Sequence, residues 1–337
     1  MPNINFVKDG EVVDASVRIL FEEAAEQLSN ELYYKDHGFT EINADIPEEK
    51  FSTVSGVGKG SLTTAGQSYA ENIRYKGYAS TVNLRKYTSE LAYTEEDLHW
   101  IGRAGATKRI LEFKNNVADH VNALNANIND DCAKIDYLGF GTTFFGGAGD
   151  SVPVYDQAHP IRKSGATANP NTFYTGFGTS TTHLAFDEDA LVEAIQRMNR
   201  FTLNDNTQMK PGKRFRILCS SENLEKVARV LRSAYGPDTS HLGLNDASAT
   251  FQAGLGRKID VKMIPDMPYA YKDYWFLVDL DRAQRMRWIV WGWKPRLNNQ
   301  SEYRKGTYYN DGSVLMAPHI ADWRAQFGSK GDGTTVA

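Results

Sequence analysis

One local pair of residues has types and spacing suited to acid–base chemistry. Asp156 and His159 lie three residues apart in the run Tyr155-Asp156-Gln157-Ala158-His159-Pro160. A carboxylate that orients an imidazole is the arrangement of a general base in a hydrolase. The pair falls in a predicted loop, where the same histidine can simply order a turn before the proline. The sequence contains no G-x-S-x-G elbow and no S-x-x-K motif. A His159/Asp156 hydrolase is therefore kept as an alternative, and the prediction is that the chain is not an enzyme.

Motifs for metals and phosphates are incomplete. The seven histidines do not form H-E-x-x-H or H-x-H, and the two cysteines, Cys132 and Cys219, lack zinc-ligand spacing. Both cysteines are predicted to be small buried apolar residues. The run Gly56–Ser61 has glycines and a lysine, but not the spacing of a phosphate loop. The acids in Asn129-Asp130-Asp131 are predicted to form a solvated corner at a helix end. No metal and no cofactor are expected.

Composition excludes several classes of protein. The 337 residues include 38 Lys and Arg against 42 Asp and Glu, a net charge of -4, whereas dedicated nucleic-acid binders are usually basic. The same balance argues against a polybasic membrane-surface protein. No run approaches 18 apolar residues and the N-terminus does not resemble a signal peptide, so we expect a soluble protein made in a cytoplasm. Four tryptophans in strand patterns are predicted to be buried in a sheet: Trp275, Trp288, Trp291 and Trp293.

The N-terminal half predicts two helices separated by a β-arm. Residues 14–33 have 3.6-residue apolar spacing, with Asp14 as a candidate N-cap. Residues 48–93 are rich in Gly, Thr and Tyr and predict a long two-stranded arm, which something else must hold because a lone hairpin is marginal in water. Residues 94–133 predict a helix about 60 Å long, which exceeds the diameter of a small domain. The molecule is therefore expected to be flattened.

From residue 187 the pattern alternates between helix and strand. Asp187 is predicted to cap one helix, and Ser220 or Ser221 to cap another. A hairpin turn is predicted at Asn310-Asp311-Gly312, and a loose tail at Gly328–Ala337. The predicted strands are Arg214–Cys219, Ile259–Met263, Tyr274–Leu280 and Arg287–Trp291, and Glu302–Tyr309 and Val314–Phe327 are predicted to close the chain on either side of that turn.

The arm's tip is too poor in apolar residues to order itself. Ser55–Gln67 has only Val57 and Leu62 as bulky apolar residues, whereas ordering costs about 1–2 kcal/mol of backbone entropy per residue. We therefore expect the tip to be mobile in a free subunit and ordered against a neighbour.

The order of these elements resembles the major capsid proteins of tailed bacteriophages, which have the Hong Kong 97-type fold. The run Tyr87–Leu98, YTSELAYTEEDL, is similar to the junction between a strand and the spine helix of these proteins. Two later regions are also similar. The first is Phe144-Phe145-Gly146-Gly147 with Val154–Pro160; the second is Thr202-Leu203-Asn204-Asp205, Pro211, Arg216-Ile217-Leu218-Cys219 and the 220–235 helix.

The resemblance implies an α+β capsid fold with five parts. These are an N-terminal arm (1–47), an extended β-hairpin E-loop (48–93), a P-domain (94–184) with its spine helix at 94–133, an α/β A-domain (185–300), and a return to the P-domain with a C-terminal tail (301–337). It implies a major head protein of a virion. Such a protein assembles in the host cytoplasm into hexamers and pentamers of an icosahedral shell around double-stranded DNA.

The resemblance also implies partners. The chain itself is the main one, and packaged DNA would be contacted without sequence specificity. A separate scaffolding protein, a portal protein and a decoration protein complete the expected set. Residues expected at the contact between subunits lie in the E-loop: Gly56, Gly58, Lys59, Gly60, Leu62, Tyr69, Tyr75 and Tyr78.

Other functions stay open at this point. An encapsulin-like bacterial nanocompartment shell has the same fold and encloses an enzyme, so its cargo would distinguish it. A monomeric binding module would run at the mass of one chain. Whether Lys59 forms a covalent crosslink, as in some relatives of this fold, is equally open.

Overall fold

Two β-sheets and two long helices organise the molecule, in a computed structural model. The structure describes residues 10–28, 32–52, 77–94, 107–141, 150, 152–160, 167–169, 171–173, 182–205, 207–210, 212–232, 258–297, 302–304 and 307–333. The helices are α1 (Gly10–Leu28), α2 (Thr107–Tyr137), α3 (Glu188–Asn199), α4 (Ser221–Arg232) and the single turn α5 (Leu280–Ala283). Short 3-10 turns occur at Tyr33–Lys35, Tyr269–Tyr271 and Trp323–Ala325.

The strands are numbered in chain order. They are β1 (Thr40–Asn43), β2 (Glu48–Ser52), β3 (Ala79–Asn83), β4 (Arg85–Thr94), β5 (His159–Pro160), β6 (Thr167–Asn169), β7 (Arg214–Cys219), β8 (Lys258–Met263), β9 (Trp275–Asp279), β10 (Arg287–Leu297), β11 (Glu302–Arg304), β12 (Thr307–Ile320) and β13 (Gln326–Ser329).

The first sheet supports the two long helices. β1 runs parallel to β10, and β12 is antiparallel to β10, β11 and β4. α1 and α2 pack on one face of this sheet. Val121, Leu124 and Ile128 of α2 are fully buried there, as the three-and-four spacing predicts. The long helix thus lies along the sheet rather than inside a globule.

Two predicted helix boundaries are wrong. α1 begins at Gly10, so Asp14 is inside the helix and is not its N-cap. α2 ends at Tyr137, four residues beyond the prediction, because Cys132 and Ile135 extend its buried stripe. Thr94 belongs to β4, and the predicted helix start at 95–106 lies outside the described residues.

The acids near the end of α2 do not form a solvated corner. Asp131 is only 2% exposed, and its carboxylate accepts a hydrogen bond from the Tyr87 hydroxyl at 2.6 Å. Asn129 accepts one from the Tyr33 backbone N–H at 3.1 Å. Asp130 is paired with Lys134, one helical turn further on. These contacts tie the helix to the strand β4 and to the turn after α1.

The second sheet has the order β13-β9-β7-β8. β7 has the predicted bounds, Arg214–Cys219, and runs parallel to β8. The predicted caps are confirmed: Asp187 accepts from the Ala190 N–H at 2.7 Å, and Ser220 rather than Ser221 accepts from the Asn223 N–H at 3.2 Å. All four tryptophans lie in strands. Trp275 and Trp291 are buried, and Trp288 and Trp293 are half-buried.

The predicted hairpin turn at Asn310-Asp311-Gly312 is wrong, because β12 runs through these residues without a break. A Cβ atom at Gly312 would lie 3.3 Å from the Phe21 ring and 3.4 Å from Leu124. The glycine therefore lets α1 and α2 approach the strand closely, which is another use of glycine inside a strand.

The predicted loose tail is wrong at its start. Gly328 and Ser329 belong to β13, which pairs with β9. A Cβ at Gly328 would lie 2.6 Å from the Tyr155 ring, so only glycine fits there. The chain thus adds a strand to the second sheet after it has completed the first.

The root of the arm is a two-stranded pair, as predicted. β2 pairs antiparallel with β3, from Glu48 opposite Asn83 to Ser52 opposite Ala79. The pair is held by a small second core on the face of the first sheet opposite α2. Its buried members are Val82, Val290 and Ala317. The arm between 53 and 76 lies outside the described residues.

Candidate functional site

The candidate catalytic histidine is a structural residue. His159 is fully buried, and its ring stacks on Trp323 with centroids 4.1 Å apart and planes inclined by 12°. Its Nδ1 lies 2.8 Å from Oδ2 of Asp150. Its Nε2 lies 3.2 Å from Oδ1 of Asn171. Both ring nitrogens therefore face oxygen acceptors.

The carboxylate that the sequence pairs with His159 is not its partner. Oδ1 of Asp156 instead accepts from the backbone N–H of Ala158 at 2.8 Å, a local turn of the kind that aspartate favours. The orientation of the Asn171 amide is fixed, because its Nδ2 donates to the Val154 carbonyl at 2.6 Å. With both nitrogens occupied and the ring buried, His159 has no position from which to activate a nucleophile. The geometry favours the turn-ordering role and not the hydrolase.

A buried ion pair connects the first sheet to α2, and one further contact of its arginine reaches the second sheet. Arg287, at the start of β10, donates to Oδ1 and Oδ2 of Asp136 on α2 at 2.9 and 3.0 Å, a bidentate geometry. The Tyr155 hydroxyl donates to the same carboxylate at 3.1 Å, and Gln326 at the start of β13 accepts from Arg287. Sequence reasoning missed this cluster, because Asp136 and Arg287 are 151 residues apart in the chain.

Three histidines are buried in surroundings that oppose a positive charge. Burial lowers the pKa of His37 to about 4 despite the nearby Asp136 carboxylate. Burial, with the cation of Lys330 as a further cause, lowers the pKa of His183 to about 4. Burial alone lowers the pKa of His319 to about 4. All three are neutral at pH 7.

The cysteines are free and buried, as predicted. Burial raises the pKa of Cys219 to about 12, so it is a thiol at neutral pH and a poor nucleophile or metal ligand. In the described part of the chain, no cluster of three His, Cys, Asp or Glu side chains could hold a metal ion. None of the helices described there is both long and apolar enough to span a membrane.

The predicted contact residues of the arm fall almost entirely outside the described residues. Tyr78 is the exception, and it is half-buried just before β3. Elsewhere on the described surface five large apolar side chains are exposed: Ile19, Ile46, Leu111, Met263 and Tyr269. They lie on α1, the segment before β2, α2, β8 and a 3-10 turn.

Comparison by sequence gives no relatives. No family model matches this chain, and no curated protein matches it.

Comparison by structure gives a consistent result. A virus-like particle from Pyrococcus furiosus matches with a TM-score of 0.50 and 8% identity, over 94% of this chain and 98% of that chain. A phage-related protein from Bordetella bronchiseptica RB50 matches with a TM-score of 0.51 and 11% identity, over 95% and 98%. The capsid subunit of cyanophage A-1(L) matches with a TM-score of 0.50 and 12% identity, over 86% and 89%. The chain has the Hong Kong 97-type capsid fold.

α2 and the pair β2–β3 fall in the segments that the sequence analysis assigned to the spine helix and the E-loop, and α3 and α4 fall in the segment assigned to the A-domain. The α+β class and the resemblance predicted from sequence are therefore confirmed. The buried histidines and ion pairs are parts of this scaffold.

Proposed function

We propose that this chain is the major capsid protein of a tailed bacteriophage. Copies would assemble into hexamers and pentamers of an icosahedral shell that encloses double-stranded DNA. The carrying observation is the fold, because the similarity to a phage capsid subunit and to a virus-like particle extends over 86–94% of this chain. An isolated domain of a multidomain enzyme would not match shell subunits over such a length.

The described surface supports self-association. The second core fixes the root of the arm, β2 and β3, to the first sheet. Exposed apolar side chains lie on several different elements, which suits a subunit that meets more than one neighbour in a closed shell. We propose that the E-loop residues named above, from Gly56 to Tyr78, make one of these contacts.

The remaining parts of the proposal follow from the same fold. We propose the five-part division into arm (1–47), E-loop (48–93), P-domain (94–184), A-domain (185–300) and return (301–337). In the sheets, β10 pairs with β12 and β13 pairs with β9, so both units share strands across these boundaries. A scaffolding protein, a portal and a decoration protein are the proposed partners, within a virion assembled in the host cytoplasm.

The net charge of -4 suits a shell around DNA. A strongly basic lining would bind the genome through counterion release, whereas this chain offers no such excess. The shell would act as a container without sequence-specific contacts. No catalytic step is part of the proposal.

Negative-stain microscopy of the purified full chain tests the proposal. We expect closed shells, and analytical ultracentrifugation should show a mass of many chains. A species that stays at the mass of one chain, at all concentrations and with scaffolding protein supplied, contradicts the proposal.

The second candidate is the shell of a bacterial nanocompartment, which shares the fold. Particles recovered from their native host distinguish the two. Nuclease-resistant double-stranded DNA inside the particle supports the phage head, whereas a single co-purifying enzyme in place of DNA supports the nanocompartment.

A further inference from the structure

We propose that the root of the arm is a separately opening unit gated by one histidine. In this account, protonation of His319 releases β2 and β3 from the first sheet while the two sheets stay folded. The opening itself is a property of the single subunit. Its consequence for assembly rests on the function proposed above.

The gate is the point where the arm meets the sheet. Nε2 of His319, on β12, lies 2.8 Å from Oγ of Ser80 on β3. The imidazole ring also packs against Phe51 of β2, with centroids 5.4 Å apart, and against Trp288 of β10, at 6.3 Å. One side chain therefore contacts both strands of the arm and the sheet beneath them.

The surface that holds the arm is separate from the main core. Val82, Val290 and Ala317 form their own buried cluster, with Phe51 and Trp288 packed at its edge. The main core is on the other side of the sheet, under α1 and α2. A cluster of three buried side chains contributes little compared with the main core. The arm's root can therefore open locally without global unfolding.

Burial is the cause of the lowered pKa of His319. On β2, Glu48 and Lys50 are exposed on the face turned away from Phe51, whereas Glu49, opposite Val82, shares the face of Phe51. β3 carries no ionisable residue. On β10, the Arg287 side chain binds Asp136 on the opposite face of the sheet.

Protonation therefore weakens the closed state. His319 is only 6% exposed, and burial holds its pKa near 4 instead of 6.5. Once the arm opens, the imidazole returns to water and regains its ordinary pKa. Between pH 6.5 and pH 4 His319 is protonated in the open state and neutral in the closed state, so lowering the pH favours opening.

If the chain forms shells, this gate gives acid a specific effect. The arm would detach at its root before the subunit unfolds, so shells would lose contacts between subunits first. Near neutral pH the root would stay closed, with β2 and β3 on the first sheet.

Hydrogen exchange on the unassembled full chain tests the gate. We measure the protection of the β3 amides, residues 79–83, relative to the β7 amides, residues 214–219, at pH 7.5 and 5.0. Both sets are corrected for the effect of pH on intrinsic exchange. With a pKa of about 4 closed and 6.5 open, relative protection of β3 should fall roughly thirtyfold on acidification.

Two variants assign the effect to His319. His319→Gln keeps a polar side chain beside Ser80 but cannot ionise, so relative protection of β3 should become independent of pH. His183→Gln is the matched control: it removes another buried histidine with a pKa of about 4, which packs on Phe140 away from the arm. It should leave the β3 response unchanged.

Several outcomes overturn the gate. One is an unchanged β3-to-β7 ratio in the wild type between the two pH values. Another is a pH response that persists in His319→Gln or disappears in His183→Gln. Should His319→Gln fail to fold, Ser80→Ala replaces it: lower protection at pH 7.5 with the acid response retained supports the gate, and unchanged protection refutes it. These readouts use single subunits, so they are independent of whether shells form.

Discussion

At the scale of single residues, the buried polar side chains connect separate segments through hydrogen bonds. The Asp150 carboxylate uses both oxygens: Oδ2 faces Nδ1 of His159 at 2.8 Å, and Oδ1 accepts from the Val152 N–H at 3.2 Å. Asp156 uses one oxygen in a local turn. Two aspartates that look alike in sequence therefore differ in their partners: Asp150 contacts the His159 ring, and Asp156 accepts from a backbone N–H in its own turn.

This difference predicts unequal losses of unfolding free energy for two matched substitutions. Asp150→Asn removes the charge beside His159 and replaces one accepting oxygen with a donor, so it should lower the unfolding free energy by about 1–3 kcal/mol. Asp156→Asn keeps an oxygen for the Ala158 N–H and should stay within about 0.5 kcal/mol. Urea unfolding of both variants measures the contrast. Equal losses would mean that the His159–Asp150 contact does not stabilise the fold.

The sequence identified His159 as notable but not its partners. Asp150 and Asn171 lie nine residues before and twelve after it, and the stacking ring of Trp323 is far along the chain. Spacing in sequence is informative about neighbours on one helix or turn. It is not informative about segments that meet only through the tertiary fold. The sequence therefore predicted Asp156 as the partner of His159, whereas the partner is Asp150.

At the scale of elements, local patterning was informative wherever one periodicity dominated. β7 has its predicted bounds and the buried stripe of α2 is confirmed. The error at residues 310–312 arises because glycine occurs both in hairpin turns and in strands that other elements approach closely. Asn-Asp-Gly is a strong hairpin signal, yet here Gly312 is inside β12 because two helices press on it.

The role of Gly312 can be tested by adding volume. Gly312→Val should lower the unfolding free energy by about 1–3 kcal/mol, because the side chain would push against Phe21 and Leu124. Thr88→Val on β4 is the control, since Thr88 is exposed on an adjacent strand and both residue types are β-branched. Chemical denaturation compares the two, and a tolerated Gly312→Val would show that the helices do not approach the strand closely.

We expect the tip of the arm to be required for assembly but not for folding of the subunit. Deleting Gly56–Gly66 removes the predicted contact residues at the tip but leaves β2, β3 and their core in place. The variant should fold as a monomer with unchanged circular dichroism and should not form shells. Sedimentation measures the loss, and shells at wild-type yield would show that the tip makes no required contact.

At the scale of the whole molecule, the buried neutral histidines make the folded state sensitive to acid. His37, His183 and His319 each have a pKa near 4 in the fold against an ordinary 6.5. The unfolded chain therefore binds more protons below pH 6.5, and folding stability falls as the pH falls. Each histidine removes up to about 1.4 kcal/mol per pH unit below 6.5.

Urea unfolding between pH 7.5 and 5.0 measures this slope. Replacing the three histidines with glutamine should flatten it, while a single replacement should remove about one third. A wild-type stability that is constant over this range would contradict the burial of these side chains as neutral groups.

The architecture was predictable as an order of parts, and the connections between the parts were not. The strand pair β2–β3, the long helix α2 and the alternation of helices and strands after residue 187 follow from composition and periodicity along the chain. The Arg287–Asp136 pair and the return of β13 to the second sheet depend on contacts across more than forty residues. Such pairings are chosen by three-dimensional packing, which a single sequence does not encode in any local period.

The return of β13 has a consequence for synthesis on the ribosome. β1, from residues 40–43, needs β10 as its partner, and the second sheet lacks an edge strand until residues 326–329 emerge. The first sheet is therefore incomplete until β12 has been synthesised, and the second until β13 has been synthesised. A polypeptide that stops short of residue 329 leaves Trp275 and Phe276 of β9 without their neighbour. The last strand thus decides when the second sheet is complete, so we expect chains that end before it to be cleaved by proteases faster than the full chain.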